Sequence, residues 1–220
     1  MTCLTTAPLA PLLDRLFDEA DLASPRMNPV LAALSDDERT RLMRSKTDYL
    51  DFYTRLKDLP LPVSRETGRL LYMLARAMGA RRIVEFGTSF GLSTLHLAAA
   101  LRENGGGRLI TSEFEPSKVA RARRNLEEAD LIDLVDIRDG DALLTLGIDM
   151  PESIDLLLLD GAKGLYGEVL GLVENRLRPG ALIIADNADY CPEYLERVRS
   201  PAKGYLSVPF AGDVELSIRL

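Results

Sequence analysis

Four short stretches of this 220-residue sequence carry side chains whose types and spacing could do chemistry. Glu85-Phe86-Gly87-Thr88-Ser89-Phe90-Gly91 sets two glycines just after an acidic residue and a β-rich run. Glycines there let the backbone approach a nucleotide or nucleoside, and a carboxylate beside them suits ammonium or hydroxyl donors better than a pyrophosphate. The dinucleotide pattern G-x-G-x-x-G is absent. Glu113 stands where an acidic group about 20 residues further on can accept from ribose hydroxyls. Together the two stretches suit an adenosine without a diphosphate. Asp160, followed by Gly161-Ala162-Lys163, and the pair Asp186-Asn187 offer two carboxylates, an amide oxygen and an amine. With no His or Cys beside them, these oxygens favour a hard cation, Mg²⁺ or else Mn²⁺ or Ca²⁺, over Zn²⁺. The bland alternatives are a tight turn for the glycines, caps and turns for the Asp and Asn residues, and a surface position for Lys163.

Only a particular fold brings these stretches together. From about residue 8 to 79 the periodicity is helical, interrupted at Pro25, Pro29, Pro60 and Pro62. Ser35-Asp36-Asp37-Glu38 has the form of a capping box, and one long helix is predicted from Asp36 to about Leu59. A further helix carries Leu70, Leu71, Leu74 and Ala75 and stops at Gly79. From Arg82 onward β-rich runs at 83–86, 109–111, 135–137, 154–159 and 181–185 alternate with helices at 92–103, 116–129, 142–147, 165–177 and 192–199. Apolar runs of this kind, alternating with helices, predict a parallel sheet covered on both faces. Runs at 205–209 and 213–219, joined by Ala211-Gly212, are too close for a helical crossover and must be antiparallel. The fold class is α/β, a doubly wound, seven-stranded, mostly parallel sheet with an antiparallel C-terminal hairpin. Residues 1–62 form a helical extension and 63–220 the main domain. Asp160 and Asp186-Asn187 then close adjacent strands, and their side chains converge beside the glycine turn.

Composition narrows the partners. Lys and Arg number 27 against 34 Asp and Glu, and the net charge of −7 repels nucleic acid and anionic membrane surfaces. Apolar runs such as Leu156 to Leu159 fall far short of the roughly 20 residues that cross a bilayer. Early charges at Asp14, Arg15, Asp18 and Glu19 argue against export, so a cytoplasmic address is expected. Cys3 and Cys191 have no metal-binding spacing and read as reduced thiols. His96, among apolar neighbours, reads as a packing residue. Arg121, Arg123 and Arg124, followed by Glu127 and Glu128, read as a solvated face with pairing within the helix. Tyr166, Tyr190 and Tyr205 receive no role.

The segment Glu85 to Ser93, with Glu113, resembles the S-adenosylmethionine site of class I methyltransferases. Over about residues 60 to 220 the chain is similar to the small metal-dependent O-methyltransferases, the group of catechol and caffeoyl-CoA O-methyltransferases. The resemblance implies a Rossmann-like methyltransferase fold. It puts Glu85, Gly87 and Ser93 at the methionine end of the donor, with the Val63 backbone beside them, Glu113 at the ribose and Gly140-Asp141-Ala142 at the adenine. Thr88 and Asp160 belong to the same donor set. Asp160, Asp186 and Asn187 would hold the metal, and Lys163 would act as general base on the acceptor hydroxyl. A chelated cation lowers the pKa of that hydroxyl and of the amine, and in-line transfer follows from alignment.

Two departures leave the acceptor open. Ser207 falls where catechol enzymes place a glutamate, and Ala188-Asp189-Tyr190-Cys191-Pro192 lacks an asparagine that plant phenylpropanoid enzymes use. The expected activity is methyl transfer to a hydroxyl of a small molecule with vicinal oxygens, by a homodimer whose first 62 residues cover the acceptor side. Rival readings are a metal-independent N- or O-methyltransferase, a nucleotide-binding module or dehydrogenase, and a silent binding protein.

Overall fold

The computed structural model describes residues 2–23, 29–210 and 212–220. Pro25, one of the expected helix breaks, and Ala211, half of the expected hairpin turn, lie outside them. Among the described residues, seven strands make one sheet: β1 (Arg82–Phe86), β2 (Arg108–Glu113), β3 (Val135–Asp139), β4 (Ile154–Leu159), β5 (Leu177–Ala185), β6 (Tyr205–Phe210) and β7 (Val214–Arg219). The order is β3-β2-β1-β4-β5-β7-β6. Strands β1 to β5 run parallel, and β7 is antiparallel to both β5 and β6. The predicted fold class is borne out, and no helix among the described residues is long and apolar enough to cross a membrane.

Strand side chains alternate between the two faces, which is why these strands read as continuous apolar runs. Ile83, Leu156 and Leu158 pack under α1 (Leu9–Leu22), α5 (Arg65–Ala77), α6 (Leu92–Glu103) and α7 (Pro116–Glu128). Val84, Phe86, Leu157 and Leu159 pack with α8 (Ala142–Thr145), α9 (Tyr166–Val173) and α10 (Pro192–Val198). Chain order reverses at β1, which has β2 on one side and β4 on the other, so a crevice opens above the ends of β1 and β4. Both chemistry-bearing turns sit on that edge.

The N-terminal section departs from expectation. Pro29 begins a short helix, α2 (Pro29–Ala32), at the position where its missing N–H is tolerated. The long helix expected from Asp36 to Leu59 is instead two, α3 (Asp36–Met43) and α4 (Tyr49–Thr54). The capping box at Ser35 and Glu38 forms as expected, with the Glu38 N–H donating to Ser35 Oγ at 3.3 Å and the Ser35 N–H to Glu38 Oε2 at 3.0 Å. The break has a local cause. Ser45 Oγ accepts from the N–H groups of Thr47 (3.3 Å) and Asp48 (2.9 Å), offering the backbone an alternative to helix. It also has a tertiary one, since the Arg44 and Ser45 carbonyls rest on Gly164, where a Cβ would come within 2.6 Å of the Arg44 oxygen. Phe52, Leu56 and Leu59 form a small core of their own with Leu31, Leu34, Leu42 and Met43.

The charged face of α7 is also wired differently. Arg121 donates to Glu19 at 2.6 Å and Glu128 accepts from Arg15 at 2.7 Å, so these charges bridge to α1 instead of pairing within the helix. The reason is that α1 packs alongside and supplies opposite charge. Ser207, on β6, donates its hydroxyl to Glu215, which is held by both nitrogens of the Arg199 fork at 2.8 and 2.7 Å.

Candidate active site

The glycine turn is built by its conformation. Gly87 has φ +100°, and a Cβ there would meet the Asp160 carbonyl oxygen at 2.6 Å. Only glycine allows the turn after β1 to lie this close to the turn after β4. The Asp160 N–H donates to the Phe86 carbonyl at 2.8 Å, which fastens the two strand ends together.

Beneath this turn Glu85 is fully buried, taking hydrogen bonds from Ser93 Oγ and Thr94 Oγ1, each at 2.6 Å. Burial raises its pKa from 4.5 to about 7 against the pull of those donors. Thr88, also buried, bonds the Thr111 hydroxyl at 2.6 Å. Glu85, Thr88 and Ser93 thus form the layer beneath the crevice. Gly87, Glu113, Asp141, Ala142 and Asp160 line the crevice itself. Glu113 accepts from the N–H groups of Ser89 at 2.8 Å and Glu115 at 3.0 Å, and burial pushes its pKa up. Asp141 caps α8, accepting from the Leu143 N–H at 2.9 Å, and takes a second bond from the Tyr49 hydroxyl at 2.5 Å.

Val63, Asp160, Lys163, Asp186 and Asn187 line a larger adjoining cavity, which Asp160 shares with the crevice. Lys163 Nζ donates to Asp160 Oδ1 at 2.8 Å and to the Tyr166 hydroxyl at 2.9 Å, and that hydroxyl donates to the Asp186 carbonyl at 2.7 Å. Burial alone would lower the Lys163 pKa, but Asp160, Tyr166 and Asp186 outweigh it and hold the ammonium well above its ordinary value. Asp160 and Asp186 stand on the same cavity wall, and burial followed by the charge of Asp160 raises Asp186 from 3.8 to about 7. Asn187, at φ +50°, gives its amide nitrogen to Asp213 Oδ2 at 2.9 Å, leaving the carbonyl oxygen for another partner.

Among the described residues no group of three His, Cys, Asp or Glu side chains could hold a metal ion. The donors here are two carboxylates and an amide oxygen. Two crowded carboxylates, one of them driven towards protonation, carry more negative charge than Lys163 alone balances, and that chemistry fits a hard divalent cation.

Several residues that matter here went unmarked in the sequence. Tyr49 and Tyr53 come from α4, and both line the crevice. The Tyr53 hydroxyl is buried without a hydrogen-bond partner among the described residues. Lys118 is buried at the crevice wall with its pKa lowered by burial, donating to Ser89 Oγ at 3.4 Å. Tyr166 holds Lys163. The spacing of Lys163 and Tyr166, three residues apart, is the one signal that could have flagged it. His96 is a packing residue as expected, bonded to the Leu92 carbonyl at 2.8 Å and set edge-on to Phe17. Both cysteines are free thiols.

Residues 84–188 match the family model of a methyltransferase domain. The chain is 38% identical to the catechol O-methyltransferase of Niastella koreensis over 130 residues, 58% of this chain and 58% of that protein. It is 30% identical to catechol O-methyltransferase B of Danio rerio over 216 residues, 93% of this chain and 79% of that protein. The match thus spans under two thirds of the bacterial relative but most of the vertebrate one. Among solved structures it is similar to the O-methyltransferase TomG of Streptomyces achromogenes in complex with S-adenosylmethionine, with a TM-score of 0.65, 27% identity, and coverage of 91% of this chain and 98% of that one. The match along most of the vertebrate enzyme, with the methyltransferase-domain model, shows that the chain belongs to the class I S-adenosylmethionine-dependent O-methyltransferases of the catechol and caffeoyl-CoA type.

Proposed function

We propose that this chain transfers the methyl group of S-adenosylmethionine to a hydroxyl of a small aromatic acceptor with vicinal oxygens, with a divalent cation, Mg²⁺ or else Mn²⁺ or Ca²⁺, held by Asp160, Asp186 and Asn187. The observation that carries the reading is the contact of Gly87 with Asp160, which sets the donor crevice against the carboxylate pair with one backbone thickness between them.

In this reading Glu85 and Ser93, with the Val63 backbone and Thr88, shape the methionine end, Glu113 receives the ribose hydroxyls, and Asp141 and Ala142 border the adenine. S-adenosylmethionine supplies a sulfonium methyl. The divalent cation supplies Lewis acidity, which lowers the pKa of an acceptor hydroxyl. Lys163 rests as an ammonium between Asp160 and Tyr166. It orients the acceptor oxygen in that state; once the grip of Asp160 is weakened the amine's pKa falls, the ammonium gives its extra proton to solvent, and the neutral amine then accepts the proton of the acceptor hydroxyl. Alignment of oxygen, methyl carbon and sulfur supplies most of the acceleration. Of the extension at 1–62, the helices from Pro29 onward act as a cap over the acceptor, while α1 packs on the sheet of the donor-binding domain at 63–220. The reading also carries a cytoplasmic homodimer, tested by cell fractionation and sedimentation.

Calorimetry with S-adenosylmethionine and S-adenosylhomocysteine, with and without Mg²⁺, on wild type and Asp186→Ala tests the proposal. The expected result is donor binding little changed by the substitution and metal-linked turnover abolished by it. Normal turnover by Asp186→Ala after treatment with a chelator overturns the metal assignment.

A further inference from the structure

Resting on the reading above, we infer that the acceptor is an uncharged hydroxylated aromatic with an extended apolar body, not a single-ring catechol or a phosphate-bearing thioester. The cavity above Asp160, Lys163, Asp186 and Asn187 has a volume of about 1030 Å³. Pockets for drug-sized ligands run to about 1,000 Å³, and a single catechol ring would leave most of this one to water.

The walls indicate what fills the remainder. Leu31, Leu34, Met43, Phe52 and Leu56, from the N-terminal helices and their connections, face the cavity. Apolar wall of this extent gains nothing from a small polar acceptor and gains with each apolar group brought against it. The cations on the wall are already committed. Arg39 pairs with Asp36 at 2.8 Å, and Arg65 pairs with Asp14 at 3.3 Å and Asp18 at 2.9 Å while its guanidinium lies 4.5 Å from the Phe17 ring centre. Lys163 is held by Asp160. Asp21 and Glu66 add negative charge on the same wall. A polyphosphate arm would therefore meet a wall on which the carboxylates of Asp21, Glu66, Asp160 and Asp186 outnumber the cations, while an uncharged apolar body meets matching surface.

The test is kcat/KM across 4-alkylcatechols from methyl to octyl, with caffeoyl-CoA alongside. The value is expected to rise about two- to fourfold per methylene over the first several carbons, as burial of each CH₂ requires. In Leu34→Asp the slope of that series is expected to flatten, a readout that an overall loss of activity does not imitate. Methyl transfer that is flat or falling with chain length, or faster to caffeoyl-CoA than to every alkylcatechol, overturns the inference and leaves the methyltransferase reading intact. Absence of transfer to every compound, with S-adenosylhomocysteine still bound in the calorimeter, overturns both.

Discussion

Replacement of Glu85 by Gln separates stability from function at a single atom. In the folded chain the carboxyl is fully buried and its pKa lies at about 7 against an ordinary 4.5. A raised carboxyl pKa means the folded state favours the protonated form. That contribution is complete below pH 4.5 and is lost as the pH climbs through about 7. Forcing ionisation at pH 8 therefore costs the wild type roughly 3 kcal/mol at most, about 2 kcal/mol after relaxation of the surroundings. Gln is never charged, and the hydroxyls of Ser93 and Thr94 can rotate to accept from its amide. The variant should match wild type near pH 5 and melt about 4–8 °C higher at pH 8. Asp186, which titrates in the same range, is present in both proteins and cancels in the difference. Calorimetry with S-adenosylhomocysteine should show about three- to tenfold weaker binding to the variant, since the Ser93 and Thr94 layer beneath the crevice loses its charged acceptor. A melting difference that is absent at pH 8, or the same at both pH values, refutes the argument that burial strains this carboxylate.

Lys163→Met should lower kcat by about 100-fold or more while donor affinity stays within twofold, because an amine that handles the acceptor's proton contributes on that scale; rapid-quench turnover and calorimetry read the two quantities separately. Tyr49→Phe removes the 2.5 Å bond to Asp141 and should weaken S-adenosylhomocysteine binding about three- to tenfold, corresponding to one hydrogen bond of about 1 kcal/mol. Gly87→Ala places a methyl group against the Asp160 carbonyl at a positive φ, and a loss of at least 2 kcal/mol in urea unfolding is expected, with donor binding lost alongside.

Most of the main domain was legible because parallel strands buried on both faces write themselves as apolar runs. Ile154 to Leu159 has the same limits in sequence and structure. The site was legible for a related reason: strand ends in this topology converge on one edge, so Gly87, Asp160 and Asp186 could be placed together without knowing any side-chain contact. The cap resisted. Its break at Ser45 depends on a side-chain competition with the helix and on Gly164, more than a hundred residues away, which no local pattern encodes. Tyr49 and Tyr53 escaped notice because they reach the crevice only after that break reorients α4. The partners of Ser207 were not legible either, because they lie across the β6–β7 pairing, where its hydroxyl meets Ser217 and Glu215.

The seat of the Arg44–Ser45 carbonyls on Gly164 is a seam between the helices over the crevice and the sheet beneath them. The floor is pinned by close backbone packing at Gly87 and Asp160, whereas the roof meets it at Gly164, at Tyr49 and through the ion pairs of Lys46 with Glu168 and Glu193. Grafting a different roof onto this floor, with the seam at Gly164 kept, is thus a route to enzymes that retain one reaction and exchange the molecules they accept.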